Sequence, residues 1–258
     1  MHPILFHIGT WPVYTYGVMC ATGLTVGYFI MAHWAVQEGV EEDDYLNLFI
    51  ILLLTSIGGA RLIFALTYPE FFAKDWTDVF RLWKGGLTIM GGGFITLLAF
   101  FAYCRFYKLK TGLILDIFFG AFPVGIFFGR IGCFAFGCCY GRPTDLPWAI
   151  SFPTARPIVP RHPTQIYSSL IMIVIFLIIL WYRRRPHVDG MVTVVFMYLY
   201  CLYRIPMEWL RADVALENNW GLTNSQAWCV VLFLLTFIFH LYLRKLPPDR
   251  PKEAVESS

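Results

Sequence analysis

Charge is what this chain has least of. Asp, Glu, Lys and Arg make up 14% of its 258 residues against 58% hydrophobic ones, and the formal net charge is +3. A soluble protein of this length needs more polar surface than that to stay dissolved, so a water-soluble globule is excluded. No basic patch interleaved with stacking aromatics is present, which argues against a nucleic-acid partner. The start of the chain lacks the basic residues of a cleavable signal peptide and carries His2, Pro3, His7 and Pro12, so the first apolar run reads as a retained span. The cysteines form no Cys-x-x-Cys pair and have no histidine beside them, so no metal site is expected. No repeat relates the two halves, which weighs against a transporter, and nothing calls for a cofactor.

Long apolar runs take the place of charge. About twenty apolar residues span a bilayer as a helix, and runs of that length recur at about 13–34, 46–66, 87–105, 113–131, 166–182, 190–206 and 225–243. The fold class expected is therefore all-α: a polytopic membrane protein with about seven transmembrane helices and a small head of outward-facing loops. Residues 1–245 read as a single seven-helix domain. Residues 246–258, rich in proline and charge, read as a disordered cytoplasmic tail. With no soluble module, a monomer is the default. Gly91, Gly92 and Gly93 in the third run, and Pro123 in the fourth, either line a cavity or allow close helix packing.

Basic residues set the orientation. Arg105, Lys108 and Lys110, then Arg183, Arg184 and Arg185, then Arg244, Lys245, Arg250 and Lys252 all fall on one side if the N-terminus is outside. That side is then cytoplasmic, although the first connection, also on it, carries no Lys or Arg. The connections 67–86, 132–165 and 207–224 face outward and hold the unusual residues.

Those residues begin with Arg130, between Gly129 and Gly132 at the outer end of an apolar run. A cation at membrane depth costs about 2.5–3.5 kcal/mol on insertion scales, so an anion is expected beside it, either a carboxylate or a lipid phosphate. Arg204, Glu208 and Arg211 lie at i, i+4 and i+7, one helix face on which Glu208 can pair with either arginine; Pro206 would kink or end that helix. A plain ion-pair ladder is the competing account. His162, in Arg161-His162-Pro163-Thr164-Gln165-Ile166-Tyr167, titrates near neutrality and can serve as a base, though the Pro-Thr lead-in is also ordinary helix-capping chemistry. Tyr16 is either an interfacial aromatic or a substrate contact. Arg61 lies deep enough in the second run to require a partner.

Four of the seven cysteines, Cys20, Cys104, Cys201 and Cys229, lie in or at the edges of apolar runs and read as packing residues. Cys133, Cys138 and Cys139 lie near the outer face, where a Cys133–Cys138 or Cys133–Cys139 disulfide could persist; packing thiols or a catalytic thiol are the other readings.

Taken in order, Tyr16-Gly17, Gly59-Ala60-Arg61, Gly85-Gly86-Leu87 with Gly91-Gly92, Gly129-Arg130-Ile131-Gly132, His162 to Tyr167, Arg204 to Arg211 and Leu222 to Gln226 resemble the phosphatidylglycerol–prolipoprotein diacylglyceryl transferases of bacterial inner membranes over nearly the whole chain. The resemblance implies transfer of the diacylglyceryl group of phosphatidylglycerol to the lipobox cysteine of a prolipoprotein signal segment, with glycerol phosphate leaving. It implies Arg130 and Arg204 at the lipid headgroup, Glu208 orienting Arg204, and Tyr16, Arg61, Gly132, Gly141, Gln165 and Arg211 as further substrate-binding positions. It departs from the family at Met90, where a histidine is usual, and at Cys133 and Phe136–Cys138, where asparagines and a glutamate are usual. If that histidine is the base in relatives, either His162 takes its place, or Arg130 and Glu208 suffice through water, or the chain does not perform the reaction. A non-catalytic lipid- or signal-segment-binding protein of the same fold is the runner-up, and a membrane thiol–disulfide protein a third reading.

Overall fold

The structure, a computed structural model, describes residues 1–72, 75–81, 86, 89–212 and 222–246, with residues 89–91 described by their backbone only. Gly85, Leu87, the side chain of Met90, and residues 247–258 of the expected tail lie outside the described residues. The chain divides into two compact units, one of residues 1–31 with 115–258 and the other of residues 32–114.

Among the described residues, seven α-helices follow one short hairpin: α1 Thr15–Gln37, α2 Glu42–Thr67, α3 Ile89–Phe106, α4 Thr111–Phe136, α5 Thr164–Arg183, α6 Met191–Leu210 and α7 Asn224–Leu243. All seven expected helices are present. Five of them, α1, α2, α4, α5 and α7, are long and apolar enough to cross a membrane; at 1.5 Å per residue, twenty residues cover about 30 Å. This is an all-α polytopic membrane protein. The hairpin β1 Ile4–Ile8 and β2 Trp11–Tyr14 precedes α1, and its last two residues take the first positions of the expected first span at about 13–34. A second two-stranded pair, β3 Ile150–Ser151 with β4 Pro160–Arg161, lies between α4 and α5.

In the larger unit α6 packs against both α5 and α7. It buries Val192, Val194 and Phe196, as α5 buries Ile175 and Ile179, and Phe196 stacks on Phe119 of α4 at 5.8 Å. Outer faces carry large exposed apolar side chains such as Leu177 and Ile238, the surface a bilayer would solvate.

One buried carboxylate fixes how α4 and α6 align. Asp116, 1% exposed, sits in an apolar run of α4 and accepts hydrogen bonds from Gly190 N, Thr193 N and Thr193 Oγ1, each at 2.8 Å. It thereby caps the N-terminus of α6 from another helix, satisfying orphan amides and placing negative charge at the positive end of the dipole.

In the smaller unit, α2 packs along α3 through small residues. A Cβ on Gly92 would lie 2.6 Å from Ser56 O, and one on Gly59 would lie 2.9 Å from Ile95 Cβ, so both glycines permit close backbone approach.

Candidate active site

The end of α6 and the start of α7 build one polar cluster. Pro206 does not stop α6, which runs on to Leu210, so Arg204 and Glu208 keep one face. Their side chains are in charge contact at 2.7 Å between Nη1 and Oε2, without hydrogen-bond alignment. The N-terminus of α7 supplies the rest. Thr223 and Gln226 form a reciprocal capping box, the Thr223 hydroxyl also donates to Glu208 Oε1 at 3.3 Å, and Arg204 Nη2 donates to Ser225 Oγ at 3.2 Å. Gln226 Nε2 donates back to Ile205 O at 3.3 Å. Glu208 is 3% exposed and Arg204 9%, so this is a charge pair held out of water by two helices. The helix breaks at Arg211, which is extended, so the i+7 member of the expected ladder leaves that face.

The C-terminal turn of α4 presents Arg130. It is half-buried and has no hydrogen-bond or ion-pair partner among the described residues. Its charge reaches Tyr200 of α6, as does that of Arg204, and it also reaches Cys139. Two turns of two different helices thus bring Arg130 and Arg204 to a common neighbour. Gly132 gives Tyr16 its place: a Cβ there would lie 3.1 Å from the Tyr16 ring.

Behind α4 the chain reverses through Gly137 and Cys139, both with positive φ (83° and 61°). The carbonyls of Cys138 and Cys139 accept hydrogen bonds from Gln165 Nε2 (2.6 Å) and Thr164 Oγ1 (2.7 Å), two buried residues of the first turn of α5. All seven cysteines are free thiols, so neither expected disulfide is formed. Instead the Sγ atoms of Cys133, Cys138 and Cys139 share one place, all within 4.8 Å of one another. The Cys139 thiol is held well below its ordinary range by hydrogen bonds from Cys133 and Cys138, aided by the charges of Arg211 and Arg130.

Three chain segments then cross. Gly141 N donates to His162 O (2.9 Å), His162 N to Arg142 O (3.1 Å), Arg142 N to Leu210 O (2.8 Å) and Ala212 N to Tyr140 O (3.3 Å). Gly141 lies in the middle, where a Cβ would meet His162 Cβ at 2.6 Å and Leu210 O at 2.7 Å. The crossing ties His162 to Arg211 through Gly141. The His162 ring meets Tyr167 (Nδ1···Oη 3.4 Å), and Tyr167 accepts from Trp148 Nε1 at 2.7 Å. Arg161, buried, lies over the Tyr140 ring at 5.2 Å and reaches Pro157 O.

Arg61 is in the other unit and finds its partners locally. It is 4% exposed and donates to the carbonyls of Val79 (2.9 Å), Gly86 (3.0 Å), Asp78 (2.6 Å) and Arg81 (3.3 Å), with its guanidinium 5.0 Å over Phe72. Its guanidinium fork holds the loop that follows α2.

Sequence reasoning gave no site role to Asp116, Arg161, Tyr200, Thr223 and Ser225, although Arg161 and Thr223 to Ser225 lie inside motifs it quoted. Asp116, a lone acid inside an apolar run, was itself a signal; the others look like ordinary loop and interface residues until folded. Chemically, the larger unit offers Arg130, without a hydrogen-bond or ion-pair partner among the described residues, Arg204 oriented by a carboxylate and a serine, and the His162 imidazole. That set can hold an oxyanion such as a phosphate.

The sequence profile of the prolipoprotein diacylglyceryl transferases matches residues 3–242. A phosphatidylglycerol–prolipoprotein diacylglyceryl transferase of Geobacter sulfurreducens is 34% identical, covering 95% of this chain and 97% of its own. Proteins of that name from Thermotoga petrophila and Methylococcus capsulatus are each 32% identical, over 97% and 94% of this chain and 87% and 96% of their own lengths. The matched span takes in both helices that carry the arginines and the crossing between them, and on these grounds the chain belongs to the prolipoprotein diacylglyceryl transferase family.

Proposed function

We propose that this protein transfers the diacylglyceryl group of phosphatidylglycerol to the thiol of a lipobox cysteine on a secreted prolipoprotein, releasing glycerol phosphate. The observation that carries the reading is Arg130, a half-buried guanidinium with no ion-pair partner among the described residues, within electrostatic reach of the neighbour it shares with the ion-paired Arg204. The names of the relatives supply the substrates.

In this reading the phosphate of the lipid occupies the empty side of Arg130 and draws the remaining N–H groups of Arg204. Sulfur attacks the terminal glycerol carbon that carries the phosphate. The C–S bond forms as the C–O bond breaks, and the electron pair leaves with the phosphate oxygen, whose charge the two guanidiniums hold. Glu208 and Ser225 orient Arg204 and do not touch the reacting atoms. The thiol proton goes to His162, whose Nε2 makes no hydrogen bond among the described residues. Tyr16, Gly132, Gln165 and Arg211 border the substrate. Gly141 serves by letting the three segments cross, and Arg61 by holding the loop after α2.

The basic clusters at Arg105–Lys110, Arg183–Arg185 and Arg244–Lys245 support a plasma-membrane orientation with the N-terminus outside and the C-terminus cytoplasmic. Residues 1–245 then act as one membrane domain, in a monomer.

The test is a transfer assay with purified protein, phosphatidylglycerol and a labelled lipobox peptide in detergent. A diacylglyceryl thioether product is expected, and Arg130→Ala should lower its rate about 10²–10³-fold, the loss typical of removing one oxyanion donor. No product from folded protein, or full activity in Arg130→Ala, overturns the proposal.

A further inference from the structure

The cysteine cluster behind α4 has no part in that reaction. Its three sulfurs come from positions 133, 138 and 139, a spacing that carries no metal signature, yet they lie within 4.8 Å of one another. The backbone adopts a disfavoured shape to achieve this. Cys139 has φ +61°, a left-handed conformation that costs an L-residue other than glycine about 1–2 kcal/mol. The turn is held in that shape from outside, by Gln165 and Thr164 on the Cys138 and Cys139 carbonyls. Strain of this kind is retained where a side-chain direction is needed, and here it turns the third sulfur toward the other two. A disulfide would use only two of them.

Three sulfurs around one small ion fit the spacing. Metal–thiolate bonds of about 2.3 Å place the sulfurs about 3.8–4.0 Å apart, inside the observed limit. The donor set is all sulfur, which selects a soft ion over magnesium or calcium. Charge also balances: three thiolates around a divalent ion leave one net negative charge, and Arg211 and Arg130 stand within electrostatic range of Cys139.

We propose that Cys133, Cys138 and Cys139 form a three-thiolate site for one soft d10 metal ion of the Zn2+ class, closing the turn that follows α4. Binding makes three metal–sulfur bonds and releases to solvent the protons that the thiols still carry; no electron is transferred. Water completes the zinc coordination.

The test uses the full-length reduced protein in detergent under argon, titrated with Cd2+ while the thiolate-to-metal ultraviolet band is followed, with Zn2+ as competitor. A band that saturates at one ion per chain and is displaced by Zn2+ is expected. Cys133→Ser, Cys138→Ser and Cys139→Ser should each weaken binding at least tenfold, with folding checked by thermal unfolding. The combined replacement of Cys20, Cys104, Cys201 and Cys229 by serine should leave it unchanged. The wild-type titration stands without any variant. Absence of a saturable band, binding lost only in the four-cysteine variant, or a mass reduced by a hydrogen pair in protein isolated without reductant would overturn the proposal.

Discussion

Replacing Glu208 with glutamine probes the charge pair at the centre of the site. Arg204 and Glu208 are 9% and 3% exposed and 2.7 Å apart. An intact buried pair is worth little net, because desolvation of both ions offsets their attraction. Removing one partner is different, since it strands the other charge at a cost of about 3–5 kcal/mol. Glutamine keeps the shape and can keep the Thr223 hydroxyl as donor, so the loss isolates the charge. At about 2–4 °C per kcal/mol for a chain of this size, Glu208→Gln should lower Tm by about 6–20 °C. Arg204→Met should do much the same by stranding the carboxylate. The double variant removes both charges and should melt above either single variant, which requires a coupling larger than the cost of one single change, about 3–5 kcal/mol. The assay is thermal unfolding of the four proteins in one detergent at one pH. A Glu208→Gln Tm within about 2 °C of wild type, or strictly additive losses in the double variant, would refute a stabilising role for this contact.

Three other outcomes follow from the geometry. Asp116→Asn turns one of its two acceptor oxygens into a donor facing N–H groups, so it should cost about 1–3 kcal/mol of stability while leaving activity per folded molecule intact, because about 20 Å of helix rise separates it from Arg130; a fall in kcat/KM without a fall in Tm would contradict this. Gly141→Ala places a methyl against His162 Cβ and the Leu210 carbonyl and should destabilise by about 1–3 kcal/mol through overpacking, which a melting curve equal to wild type would disprove. The Cys139 thiol, its pKa lowered by hydrogen bonds from Cys133 and Cys138 and then by Arg211 and Arg130, should be the first thiol alkylated below pH 8 in metal-free, reduced protein. Its folded pKa lies below the unfolded value of about 8.5, so its stabilising contribution is present above that pH and lost as pH falls toward the folded pKa. Alkylation of another outer cysteine ahead of Cys139 would count against that assignment.

The helices were legible because membrane spans announce themselves by length and apolarity alone, a local property. Arg130 and the Arg204–Glu208 pair were legible for a related reason: charge is so scarce here that each instance needs a partner. The rest of the site is non-local. Nothing in Thr223, Ser225 and Gln226 marks them as the second half of the Arg204–Glu208 cluster until α7 is laid beside α6. Arg61 shows the limit from the other side. Its depth correctly demanded partners, but those partners are main-chain carbonyls, which a sequence does not display. The three thiols left a disulfide, plain packing and a catalytic thiol all open, because spacing along the chain conceals the reversal at Gly137 and Cys139.

The crossing of residues 140–143 with 160–162 and 210–212 is joined by amide-to-carbonyl bonds, which every residue except proline can make. Its shape is therefore nearly indifferent to which side chains decorate it. A frame of that kind lets the neighbouring turn change its functional groups without rebuilding the architecture that aims Arg130 and Arg204. It also makes the turn a practical place to graft new chemistry: substitutions at 133, 138 and 139 alter the decoration, whereas one methyl at 141 strikes the frame itself.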